Sequence, residues 1–219
     1  MSTPASRRVR VWDLPTRLFH WVLAGLVTAS WLSGQFGGQP WLPWHFRFGY
    51  AILALLLFRL LWGFAGDRYA RFSSFVPSWR AALAHVRSPR PTAGHNPLGS
   101  FSVFALLLVA GVQVMTGLLT SDGDFTEGPW AIFASDATVR LVSSIHRINR
   151  WVLLALVAVH LGAIVWNAAT RHDGLVRGMI SGDKEGLDVE PAVDNRTIRL
   201  RALVLLALSA ALVAYSVNL

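Results

Sequence analysis

Four of the seven histidines in this chain, His20, His45, His146 and His160, fall within or at the edge of long apolar runs. The other three, His85, His95 and His172, fall in polar connections. An ionisable side chain in hydrocarbon is costly, and it marks a functional position by default. Imidazole there can give a ring nitrogen to a metal, or can snorkel as a plain polar residue. The segment Ile145–Gly162 reads IHRINRWVLLALVAVHLG and carries two of the four. His146 and His160 are fourteen positions apart, so on a helix they share one face, roughly 21 Å apart along the axis. Arg59 follows His45 by the same interval.

The elements that must position these rings are membrane spans. The 219 residues are 53% hydrophobic and 15% charged, with ten tryptophans, a balance that excludes an ordinary soluble domain. The net charge of +8 does not point to nucleic acid, because the basic residues sit in short segments between apolar runs. There is no cysteine, which excludes disulfides, thiolate-held clusters, thioether-linked haem and cysteine nucleophiles. The basic N-terminus MSTPASRRVRVWDLP leads into a segment with interior polar and aromatic residues, read as a retained span rather than a cleaved signal. Five apolar segments follow, at 18–36, 48–65, 101–119, 146–167 and 202–219, each near the ~20 residues needed to cross a bilayer as a helix. Asp13-Leu-Pro-Thr is a helix start with Asp13 or Thr16 as cap. His95-Asn-Pro-Leu-Gly leads into the third span. PSWRAALAHVR reads as an amphipathic surface helix, and SGQFGGQPWLPW as a short outer loop. Trp12, Trp41, Trp44, Trp62 and Trp151 fall at predicted membrane boundaries.

Charge sets the orientation. Arg7, Arg8, Arg10 and Arg17 outweigh Asp13 in the first segment, and Arg68, Arg71, Arg80, Arg87 and Arg90 outweigh Asp67 between spans two and three. Both are therefore cytoplasmic. Asp122, Asp124, Glu127 and Asp136 against Arg140 put the next connection outside. Residues 167–201, with Arg171, Arg177, Lys184, Arg196, Arg199 and Arg201, return to the cytoplasm, leaving Leu219 outside. His20 then begins span one at the inner side, and His45 begins span two at the outer side. The arginines thus pair His20 with His160 and His45 with His146, at two depths.

Two facing imidazole pairs in a bundle suit two b-type haems with bis-histidine irons, closed to small ligands and fit for carrying electrons. Gly25, Gly49, Gly111, Gly117 and Gly162 would admit a flat ring near a helix backbone, or serve plain helix packing. For the propionates, Arg17 is near the inner pair, and Arg47, Arg147 and Arg150 are near the outer pair. Each is equally a topology determinant. Arg59 faces the interior at the inner depth, or snorkels to the interface. His95 either stacks on the inner haem edge or a quinone, or caps its loop. No residue offers bond-making catalysis beyond the iron ligands.

VWDLPTRLFHW, FRLLWGFAGDRYARFSSF, GHNPLG and IHRINRWVLLALVAVHLGAIVWN resemble the bacterial cytochrome b561 family, in the branch that includes the b-type subunit of nickel–iron hydrogenases. The resemblance covers most of residues 9–184. It implies a four-helix, two-haem core with histidines on the first, second and fourth helices, matching His20, His45, His146 and His160. It also implies a place in the bacterial inner membrane and electron exchange between a quinone (ubiquinone or menaquinone) and an outside partner, a hydrogenase or a periplasmic cytochrome c. The expected architecture is all-α: a di-haem domain over residues 1–182, then a charged linker and a fifth transmembrane helix over 183–219, the latter for packing, dimerisation or docking. The inner face near Arg17, Arg71 and His95 and the outer face near Trp44 and Arg147 are both candidate quinone sites. The alternatives are a stand-alone superoxide:quinone oxidoreductase and a haem-free scaffold or transporter.

Overall fold

A computed structural model describes residues 8–36, 38–88, 91–121, 123, 126–171 and 173–218. Arg7, Arg90, Asp122, Asp124, His172 and Leu219, which entered the charge and histidine reading, lie outside the described residues. The chain forms strand β1 (Arg8–Arg10), helices α1 (Leu14–Phe36), α2 (Gly38–Ala65), α3 (Trp79–Arg87), α4 (Pro97–Gly117), α5 (Asp136–Thr170) and α6 (Leu175–Ser181), strand β2 (Asp183–Glu185) and helix α7 (Arg196–Val217).

Among the described residues four helices are long and apolar enough to cross a membrane: α2 from Pro40, α4, α5 and α7. Helix α1 has the length, at 23 residues, but Arg17, His20, Thr28, Ser30, Ser33 and Gln35 dilute its apolar character. The predicted start of span two at Phe48 is corrected to Gly38. The expected outer loop is therefore mostly helix, and His45 lies inside α2 rather than at its beginning. Pro40 fits the first turn, where no intrahelical donor is needed, and Pro43 is carried inside the helix. Helix α5 also begins earlier than expected, because Ser135 caps it through the Thr138 amide at 3.3 Å. Its 35 residues make it about 50 Å long, well beyond the ~30 Å of hydrocarbon.

Local chemistry explains the other starts. Asp13 Oδ1 accepts from the Thr16 amide at 2.7 Å, so Asp13 is the cap of α1. The Thr16 hydroxyl instead accepts from Trp62 Nε1 at 3.2 Å. Asn96 Oδ1 accepts from Gly99 N at 2.6 Å and opens α4. Ser78 caps α3, which forms as expected from PSWRAALAHVR. Its His85 turns inward, with Nε2 3.3 Å from Arg171 Nη1.

Helix α2 is the centre of the bundle, packing on α1, α4 and α7, while α5 packs on α4. Ile52, Leu53 and Leu56 of α2 meet Ala110, Val114, Leu118 and Val213. One turn onward Leu55, Phe58 and Trp62 meet Phe19, Ala70, Ile198 and Ala202. Large apolar side chains such as Leu108, Val159, Val165, Leu203, Leu208 and Leu212 point outward, the pattern of a surface facing lipid.

The membrane-boundary reading of Trp12 and Trp62 is corrected: both are buried, Trp62 at 0% exposure. Its indole can go inside because Thr16 accepts its N–H. Trp41, Trp44 and Trp151 are exposed, as expected for boundary residues. Trp62→Ala is expected to cost about 3–5 kcal/mol, read as a lowered unfolding midpoint in detergent. An unchanged midpoint would mean the site collapses freely.

Of residues 183–201, expected as a charged linker, 183–195 form the floor of the bundle and 196–201 already belong to α7. Strands β1 and β2 pair antiparallel, with Val9 opposite Lys184. Arg10 bridges Asp183 at 2.7 Å and Asp194 at 3.4 Å, and Arg199 meets Asp194 at 2.8 Å. The Val193 amide donates to Asp67 Oδ2 at 2.8 Å. Lys184 Nζ donates to the Thr92 and Gly94 carbonyls at 3.0 and 3.4 Å, tying the floor to the loop that carries His95.

Candidate functional site

Helices α1 and α2 bring His20 and His45 toward α5, one at each end of the bundle. The His45 and His146 rings lie 6.3 Å apart, centre to centre, at 88°. The His45 Nδ1 donates to the Ser30 carbonyl at 2.8 Å, and the His146 Nδ1 to the Gln113 carbonyl at 3.0 Å. A carbonyl only accepts, so each Nδ1 carries the proton and each Nε2 keeps its lone pair. This is the arrangement of a metal-ligating imidazole held by its other nitrogen. Glycines make room for both rings. A Cβ at Gly34 would lie 2.8 Å from His45 Cε1, and one at Gly117 would lie 3.2 Å from His146 Cε1.

A cavity of about 460 Å³ opens beside this pair, lined among others by Trp31, Gly49, Gly117, Arg147 and Arg150. A Cβ at Gly49 would meet nothing within 4 Å. Arg150 has a buried Nε without a partner and stacks its guanidinium on Trp151 at 5.1 Å. Arg147 is exposed and donates to Ser144 Oγ at 3.2 Å. Arg47 is exposed and lies over Trp44 at 4.8 Å; it is not among the cavity-lining residues.

At the inner end the His20 and His160 rings lie 6.5 Å apart at 54°. The His20 Nδ1 is buried without a partner. Helix α6 closes over this end: Arg17 Nη1 donates to the Ile180 carbonyl at 2.5 Å and Trp21 Nε1 to the Met179 carbonyl at 3.2 Å. Arg17 Nε is buried without a partner. Arg59 is 3% exposed, so it does not snorkel. Its guanidinium lies over Phe72 at 4.6 Å and Phe75 at 5.9 Å, with Nη1 unpartnered.

His95 sits between Trp12 and Phe75, at 4.8 and 4.2 Å between ring centres. Asn96, not His95, supplies the loop cap. Burial, then the positive charges of Arg59 and Lys184, push the His95 imidazole down to about 3, so it is neutral at physiological pH. An unfolded histidine titrates near 6.5. Between about pH 3 and 6.5 the unfolded chain therefore binds the extra proton, and stability rises with pH across that window. The unfolding midpoint in detergent is expected to fall as pH drops below about 6.5, and His95→Gln to flatten that slope. An identical slope in the variant would contradict the assignment.

A metal ion bound ~2 Å from each of two imidazole nitrogens puts the ring centres roughly 6 Å apart, and both pairs meet that spacing. Among the described residues no group of three or more His, Cys, Asp or Glu is placed to hold a bare ion. Each pair would supply two ligands and need the rest from a bound group. The packing leaves space for one: α5 rests on α4 and makes no comparable packing with α1 or α2. The residues present thus fit an iron porphyrin at each end.

Residues 11–182 match the family of prokaryotic cytochrome b561. The chain belongs to that family. It is accordingly a b-type cytochrome, a multi-pass membrane protein of electron transport that carries haem b. The matched range is close to the 9–184 of the resemblance read from the sequence. A relative from Rhizobium leguminosarum bv. viciae is 27% identical over 213 residues, covering 80% of this chain and 88% of its own. One from Azotobacter vinelandii is 27% identical over 219 residues, covering 84% and 91%. Both are named probable Ni/Fe-hydrogenase B-type cytochrome subunits. A relative from Escherichia coli strain K12, 25% identical over 213 residues and covering 78% and 88%, is named a probable Ni/Fe-hydrogenase 1 B-type cytochrome subunit. These names agree with the branch that the sequence resembled.

Sequence reasoning missed Ser30, Gly34, Gln113 and Asn149. Gln113 and Asn149 carried a signal, since uncharged amides inside a span are also costly to leave unpaired. Ser30 acts through its carbonyl, which no side-chain pattern reveals.

Proposed function

We propose that this cytochrome holds two haems b, one between His20 and His160 at the inner end and one between His45 and His146 at the outer end. We further propose that it moves electrons between the quinone pool and a redox partner outside the membrane. The observation that carries this is the two pairs of facing imidazoles at matched spacing, 6.5 and 6.3 Å, on helices otherwise held apart. The names of the relatives favour a hydrogenase-like partner over a cytochrome c. In this reading α1 is the remaining membrane crossing, the N-terminus is cytoplasmic and the C-terminus periplasmic, in a bacterial inner membrane.

A haem b held by each of these histidine pairs would supply one-electron transfer and leave no site for a substrate at the iron. The chain's own residues do the rest. Ser30 and Gln113 fix the tautomers of His45 and His146 through their carbonyls. Arg17 and Arg59 inside, and Arg147 and Arg150 outside, offer positive charge to the propionates, three of them through a buried nitrogen without a partner. Trp12 and Phe75 pack on His95, and Trp62 is buried beside Thr16. The test is reduction of the purified protein in liposomes by a ubiquinol or menaquinol analogue, followed at the haem α-band. Reduction of both haems is expected. No reduction by quinols, with rapid reduction by superoxide, would overturn this reading in favour of a superoxide oxidoreductase.

A further inference from the structure

We propose that Gln113 and Asn149 form a positioning pair that holds the His146 imidazole and raises the midpoint potential of the outer haem alone. This rests on the reading of His45 and His146 as a haem site.

The orientation of the amides follows from their partners. Asn149 Nδ2 donates to the Val109 carbonyl at 2.9 Å. A carbonyl cannot donate, so that atom is the nitrogen. It also donates to Gln113 Oε1 at 2.8 Å, which turns the Gln113 nitrogen the other way, toward His146. There Gln113 Nε2 lies 3.2 Å from Nδ1 and 3.1 Å from Nε2 of the imidazole, and 3.3 Å from the His146 carbonyl. A donor nearly equidistant from both ring nitrogens is not on either in-plane lone pair, because those directions diverge. It lies over the face of the ring, with N–H directed at the π system. The carbonyl of the same residue takes the Nδ1 proton at 3.0 Å. Gln113 thus grips the imidazole from its edge and from its face, and Asn149 keeps the amide from turning over.

The inner pair shows no such grip: among the described residues His20 Nδ1 has no hydrogen-bond partner. The two sites therefore differ in one respect that electrons can read. An amide N–H carries partial positive charge, and oxidation of a ligated iron adds a positive charge to the iron–imidazole unit. The amide disfavours that added charge and so favours the reduced form. Groups that orient a ligand and tune its donor strength are a general control on redox centres.

The test is a redox titration of Gln113→Leu and Asn149→Ser in the intact protein, with haem content, visible spectra and low-temperature EPR as companion readouts. In Gln113→Leu the backbone carbonyl still holds Nδ1, so both haems are expected to remain. The reduced-to-oxidised ratio of the outer haem at fixed ambient potential is expected to fall about tenfold, which is 59 mV for a one-electron couple. The inner haem should be unmoved. Asn149→Ser, which leaves the amide in place but free to turn, should shift the same haem in the same direction by less. It also carries the test if Gln113→Leu fails to hold haem. Two bound haems with unshifted potentials, or with equal shifts in both, would overturn the role of Gln113. The haem reading itself fails separately, if His146→Ala still binds two haems.

Discussion

Replacing His160 by alanine is expected to remove the inner haem and leave the outer one, taking the preparation from two haems per chain to one. His160 lies on α5 opposite His20, with the ring centres 6.5 Å apart. The outer pair is about four helical turns away along α5, roughly 21 Å, and its partners Ser30 and Gln113 lie on α1 and α4. Effects at separated sites without shared partners are close to independent. The measurement is a pyridine haemochrome assay against protein mass, with a redox titration to identify the haem that remains. Loss of both haems would mean that the two sites assemble as one unit. Loss of neither would mean that His160 is not a ligand.

Gly34→Val is expected to be nearly as damaging, at the other end. Gly34 is within helix α1, where valine is allowed, so the substitution tests space rather than backbone conformation. A Cβ there would lie 2.8 Å from His45 Cε1 and 2.9 Å from its Nδ1. Both atoms belong to the ring that would hold the outer iron, and that ring is tied to the Ser30 carbonyl at 2.8 Å. The imidazole must swing away, losing that bond and its place opposite His146. Overpacking of this kind costs about 1–3 kcal/mol in stability, too little to unfold the bundle but enough to displace a ligand. The outer haem is expected to fall below half occupancy while the inner haem keeps its spectrum. Full occupancy of both with unchanged spectra would show that the ring has another place to go.

The partnership of the four histidines was legible because two independent patterns converge on it. Arginine placement assigns depth to each helix end, and an interval of fourteen residues assigns a face. Neither depends on the exact helix boundaries, so the pairing survived an error of ten residues at the start of α2. The stretch SGQFGGQPWLPW reads as an outer loop, yet a proline in a first turn, as at Pro40, leaves the helix intact. The early start of α5 was missed because residues 136–145 are polar enough to resemble a connection. The floor of the bundle was not legible: β1 finds β2 across more than 170 residues, and short charged segments carry no register of their own. Gln113 and Asn149 carry the general signal of an amide within a span, but a single amide does not name its partner until a neighbouring helix brings the two together.

The most direct measurement is the haem stoichiometry of the purified intact chain together with the EPR of its oxidised form. Two haems b per chain, both low-spin with two imidazole ligands, are the expected result. One haem or none, or a high-spin signal from an iron with an open position, would contradict the paired-imidazole architecture.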